Sequence, residues 1–99
     1  MTAKITTKLI LHVKGKYFDQ IKSGEKTEEY RLVKAYWFSR LSNPHLSQIY
    51  IIKGYPSTRE MSREICLSFP WRGVTRKVIK HSEFGPDLVD VFVIKLERA

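Results

Sequence analysis

Four short apolar runs, each closed by turn-forming residues, constrain the fold more than any other feature of this chain. They lie at residues 9–13 (LILHV), 49–52 (IYII), 65–69 (ICLSF) and 89–96 (VDVFVIKL). Runs this short and this rich in β-branched and aromatic side chains match buried strands rather than helices. The run at 49–52 is apolar throughout, which predicts a central strand covered on both faces. In the run at 65–69, Ile65, Leu67 and Phe69 alternate with Cys66 and Ser68, the period-two mark of a half-buried strand. Pro70 and Gly73 interrupt it, and residues 74–79 read as its continuation after a bulge or turn. The last run places Val89, Val91 and Val93 on one face and Phe92, Ile94 and Leu96 on the other. Residues 81–87 contain Gly85-Pro86 and read as a loop.

Two helices fit between these strands. Tyr17, Phe18 and Ile21 recur at helical spacing, with Lys16, Asp19, Gln20 and Lys22 on the other face, and Ser23-Gly24 supplies the stop. Residues 35–41 (AYWFSRL) read as a second short helix packing Trp37, Phe38 and Leu41, closed by Ser42-Asn43-Pro44. Residues 26–33 (KTEEYRLV) follow the capping glycine directly and are read as extended. A strand there projects Thr27, Glu29 and Arg31 to one face and Glu28, Tyr30 and Leu32 to the other, with Lys26 at the turn. Residues 58–63 carry no clear pattern. The expected class is α+β, a small, partly closed β-barrel of five to six strands with two short helices. At 99 residues, folding can bury roughly two-thirds of the unfolded surface, enough for one core and one domain.

Composition narrows the function classes. The chain is 42% hydrophobic and 28% charged, with neither a disordered nor a membrane profile. No stretch approaches the ~20 apolar residues of a membrane span, and residues 1–8 hold no signal-type apolar run. The single cysteine, Cys66, forms no internal disulfide, which favours a cytoplasmic location. His12, His45, His81 and Cys66 lack the paired spacings of a zinc site, and no glycine-rich phosphate loop is present, so no metal or cofactor is expected. The net charge of +8 points to a polyanionic partner, because neutralising phosphates releases counterions.

The departure from ordinary surface composition is greatest at residues 24–31, GEKTEEYR. Here the chain resembles the activating-signal-cointegrator homology (ASCH) family, a branch of the PUA-like group of small β-barrels, whose signature is G-x-K-x-x-E-x-R after a first helix. Gly24, Lys26, Glu29 and Arg31 fill that signature, preceded by K-x-K-Y-F-D-x-I-x-x-G from Lys14 to Gly24. The resemblance implies a β-barrel with a cleft beside the motif and RNA-related roles: binding in some members, hydrolysis of acetylated cytidine or cleavage of RNA in others. In the amidohydrolase members it carries a catalytic lysine onto Lys26, a threonine onto the position held here by Glu29, and a carboxylate from later in the chain. This chain keeps the lysine and lacks the threonine, and Glu64 and Glu83 both stand open as the later carboxylate.

Three readings follow. The leading one is an RNA-binding domain in which Lys26 and Arg31 engage phosphates and bases beside the Glu29 carboxylate. Lys53, Tyr55 and Arg59, at a strand end and in the following loop, extend that surface, and Trp71-Arg72 offers a stacking platform. The second is a small hydrolase acting on a modified nucleoside or on RNA, with Lys26 and Glu29 central. The third is an adaptor that meets an acidic protein through its basic face. A deep pocket of nucleoside size would favour the enzyme, and an open basic groove lined by Tyr55 and Trp71 would favour an RNA strand.

Overall fold

The computed structural model describes residues 7–56 and 65–97. Every apolar run becomes a strand, and the elements follow in the order β1 (Thr7–Val13), α1 (Gly15–Ser23), β2 (Glu28–Leu32), α2 (Ala35–Leu41), β3 (Leu46–Lys53), β4 (Cys66–Pro70), β5 (Val74–Lys80) and β6 (Leu88–Lys95). Within the expected loop at 81–87, Ser82–Phe84 form one 3₁₀ turn. Among the described residues the architecture is therefore α+β, with six strands and two helices.

The strands form two three-stranded sheets, in the orders β1-β3-β4 and β2-β6-β5. β3 runs parallel to β1 and antiparallel to β4. A parallel pair needs a long crossover, and α1, β2 and α2 supply it. β3 is the middle strand of its sheet, as its unbroken apolar run requires, and Ile49 and Ile51 are fully covered. β6 holds the same place in the other sheet, where Val91, Phe92, Val93 and Ile94 are all buried.

Among the described residues no strand ladder joins the two sheets, so they form no closed barrel. Where β1 and β2 approach each other, the link is a side chain, with Arg31 Nη2 donating to the His12 carbonyl at 3.1 Å.

One apolar cluster unites both sheets and both helices. It contains Leu9, Leu11 and Val13 of β1, Ile49 and Ile51 of β3, Phe69 of β4, Phe18 and Ile21 of α1, Leu41 of α2, and Phe92, Ile94 and Leu96 at the end of the chain. α1 ends where Gly24 takes φ +87°, a left-handed conformation that glycine adopts without steric cost. That turn aims the chain into β2. No helix among the described residues is long and apolar enough to cross a membrane.

Candidate functional site

The antiparallel register of β2 on β6 sets the site. Glu29 stands opposite Ile94 and Arg31 opposite Phe92, so carboxylate and guanidinium share the face that carries core side chains. Burial follows from register: Glu29 is only 5% exposed, the single buried charged residue among those described. A buried carboxylate is tolerated when cations and donors surround it. Lys26 Nζ lies 3.3 Å from Oε1 and Arg31 Nη1 3.0 Å from Oε2. The Lys26 backbone N–H donates to the Gln20 carbonyl, tying the turn back to α1 and fixing where the ammonium emerges.

The two cations are held differently. Arg31 spends most of its fork on the protein: Nη1 also donates to the Tyr30 carbonyl, Nη2 donates to His12, and Nε is buried without a partner among the described residues. Its guanidinium rests 5.2 Å from the centre of the Trp37 ring. Lys26 instead stands between two aromatic faces, 5.5 Å from the Tyr17 ring centre and 4.8 Å from that of Tyr30. An ammonium has three donors, and one serves Glu29. Arg31 thus acts mainly as a brace for Glu29 and for the β1–β2 junction, and Lys26 as the cation with donors to spare.

Around this floor the fold builds a cavity of about 440 Å³. Its walls include His12 of β1, Tyr17 of α1, Tyr30 of β2, Tyr55 after β3, and His81, Glu83 and Phe84 of the 3₁₀ turn. Tyr55 lies flat on His12, with ring centres 4.5 Å apart and planes 13° from parallel. The His12 Nδ1 donates to the Gly54 carbonyl at 2.8 Å, which leaves Nε2 for other partners.

At the rim, Glu83 accepts from Lys14 at 3.0 Å and from the Tyr17 hydroxyl at 3.1 Å. The Lys14 hydrogen bond holds the Glu83 carboxyl below the usual range and Glu83 in turn raises Lys14. Behind the Tyr30 wall, the Tyr30 hydroxyl donates to Glu28 at 2.7 Å, with Lys77 3.4 Å away. That hydroxyl bond, aided by Lys77, lowers the Glu28 carboxyl, while burial, followed by Glu28 itself, pushes the Tyr30 hydroxyl up.

Of the residues singled out in the sequence, Lys26, Glu29, Arg31 and Tyr55 converge on this cavity. Lys53 does not; its ammonium turns to Asp19 at 3.3 Å and lies over Phe18. Trp71 packs against the core, and Arg72 is exposed away from the cavity walls. Arg59 and Glu64 lie outside the described residues. Glu83, one of the two open carboxylates, is on the cavity wall. Trp37 packs on the core beneath Arg31, as its place in the second helix predicts, and Tyr30 faces the cavity.

Lys14, His12, Tyr17, His81 and Phe84 are also walls, beyond the residues that the sequence pattern singles out. For His12 a signal existed, since in LILHV it takes the strand position between the buried Leu11 and Val13 and so points the other way. The remainder depend on how the 3₁₀ turn folds back over α1, which no local pattern encodes.

Chemically, the cavity offers ammonium donors, carboxylate lone pairs and aromatic faces. This set suits a flat polar ring or a phosphate better than an aliphatic ligand. Among the described residues no three His, Cys, Asp or Glu side chains gather as a metal site. No protein-family model, no curated protein and no solved structure matches the chain.

Proposed function

We propose that this chain is an RNA-binding domain of ASCH-like, PUA-related type that takes one base or nucleoside unit at a time into the cavity above Glu29. The observation that carries the reading is the Lys26 ammonium, 13% exposed, set between the Tyr17 and Tyr30 rings and 3.3 Å from a buried carboxylate inside a cavity of about 440 Å³. Ligand pockets for small molecules start at about 300 Å³, so one nucleoside unit suits this one. Aromatic walls accept any base by stacking. The Lys26 donors not turned to Glu29 meet a base carbonyl or a phosphate, and the Glu29 carboxylate, with about four lone-pair sites and donors from Lys26, Arg31 and the Tyr30 backbone N–H, keeps one for a base amino group. The +8 charge supplies the long-range attraction to a polyanion.

The order of elements adds support. The G-x-K-x-x-E-x-R residues run from the αL cap of α1 into β2, so the signature coincides with a helix-to-strand turn that opens onto the cavity.

A second reading, hydrolysis of a modified nucleoside or of RNA, draws on Glu83, a carboxylate on the same wall as Lys26. Hydrolysis needs a group that takes a proton from water. Glu83 is committed to Lys14 and Tyr17 and Glu29 to Lys26 and Arg31, so binding ranks first.

The deciding experiment titrates labelled single-stranded RNA and free nucleosides against wild type and Lys26→Ala over a salt series, then analyses the recovered ligand. Salt-sensitive binding that Lys26→Ala weakens tenfold or more supports the domain reading, a contact of this kind being worth about 1–3 kcal/mol. Shortened RNA or a deacylated nucleoside moves the assignment to the hydrolase. Absence of binding at low salt sinks the reading.

A further inference from the structure

A second depression lies on the other side of the His12–Tyr55 stack. It is a groove of about 630 Å³, walled by Tyr36, Trp37 and Arg40 of α2 and by His12, Arg31 and Tyr55, which it shares with the cavity. Its chemistry differs from the cavity in one respect: two guanidiniums face it and, among the described residues lining it, no carboxylate.

Its aromatic surface is open to solvent and already arranged with cations. Tyr36 is 61% exposed and meets Trp37 edge-on, with ring centres 5.0 Å apart. Arg40 lies 5.4 Å from the Tyr36 ring centre and 5.9 Å from that of Trp37. A short helix that only covered a core would turn polar side chains outward, yet α2 exposes Tyr36 and Phe38. Flat aromatic faces alternating with guanidiniums, and free of acidic groups, are the combination that holds stacked bases and their phosphates.

We infer that this groove is a second nucleotide subsite: it takes the neighbouring nucleotide of a single-stranded RNA whose adjacent base occupies the cavity. The inference rests on the function proposed above and adds a direction to it. The strand crosses the Tyr55–His12 stack, and at the crossing one Nη2 hydrogen of Arg31 remains for a phosphate, since Nη1 is engaged twice and Nη2 once. The neighbouring base then lies on Tyr36, with Arg40 beside the next phosphate.

The test measures binding of a labelled single-stranded RNA pentanucleotide and of single ribonucleosides to wild type, Tyr36→Ala, Tyr36→Phe and Arg40→Gln. Both α2 positions are exposed, and a thermal melt of each variant checks the fold. Tyr36→Ala should weaken the pentanucleotide about tenfold, as loss of one stacking face does, while Tyr36→Phe retains it. Arg40→Gln should weaken it and lower the slope of log affinity against log salt by about 0.7, the single-strand value for one phosphate. Nucleoside binding should not change in any of the three. If wild type binds the pentanucleotide and both Tyr36→Ala and Arg40→Gln bind it equally well, the groove is not a subsite and the cavity reading stands. If wild type binds neither probe, the cavity reading falls and takes the subsite with it.

Discussion

Two ion pairs line one cavity and are worth very different amounts. At the rim, Lys14 and Glu83 approach to 2.9 Å with side chains 66% and 28% exposed. On the floor, Lys26 and Glu29 stand at 3.3 Å with side chains 13% and 7% exposed. The shorter contact is the weaker one in its consequences. Water screens the rim pair and competes for it, so forming or losing it changes little. On the floor, water is largely excluded, and removing one partner strands the others in a poor solvent for charge. Distance alone therefore says little about which charges this fold depends on.

The largest effect expected from that contrast belongs to Glu29→Ala, which leaves two cations facing each other in a slot made for three charges. Urea unfolding should show a loss of about 2–4 kcal/mol, less than for a fully buried triad because Lys26 and Arg31 retain some solvent. A loss no greater than that of a rim substitution would break the comparison.

Lys26→Ala should cost less, about 1 kcal/mol of stability, because Arg31 still satisfies Glu29. Its main effect is on ligand affinity, so a stable Lys26→Ala protein with wild-type binding would separate the floor from the function proposed for it.

Tyr30→Phe sharpens the comparison with a third, intermediate pair. Removing the hydroxyl that donates to Glu28 should cost about 1 kcal/mol at pH 7. Glu28 is held below its ordinary value, first by that hydroxyl. A lowered carboxyl contributes stability that is full above the unfolded value of about 4.3 and is lost as pH falls through the folded value. The gap between wild type and Tyr30→Phe should therefore be constant near neutrality and close only as pH falls below the ordinary carboxyl value and through the lowered folded one. A gap that persists once Glu28 is protonated in both proteins would mean that packing, not the charged hydrogen bond, explains it.

Lys14→Ala stands at the small end. It removes the rim pair and should leave the melting temperature unchanged in moderate salt, the Glu83 carboxylate returning to water. A clear drop would show that the 3₁₀ turn depends on this pair to stay folded over α1.

Much of the fold was legible because its signals are local. The αL glycine at Gly24, the helical spacing of Phe18 and Ile21, and the unbroken apolar runs each act over a few residues, and each element appears where those signals lie. Residues 35–41 became a helix with the expected ends. How far the two sheets close on each other is nonlocal, since it depends on what lies between their edges, here the Arg31 side chain reaching the His12 carbonyl. Residue spacing also placed Glu29 and Arg31 on one face, but not the burial of Glu29, which comes from its place opposite Ile94, on a strand some sixty residues later.

The sequence by itself determined the α+β class, the element order and the proximity of Lys26, Glu29 and Arg31, because backbone propensity and side-chain period act within a few residues. Only the tertiary structure decided that Arg31 is a brace and Lys26 the available cation, that Lys53 and Trp71 turn elsewhere, and that Tyr17, His81 and Glu83 close the cavity. Those roles depend on which donors are already taken and on how much water reaches each charge, and both are properties of the packed chain.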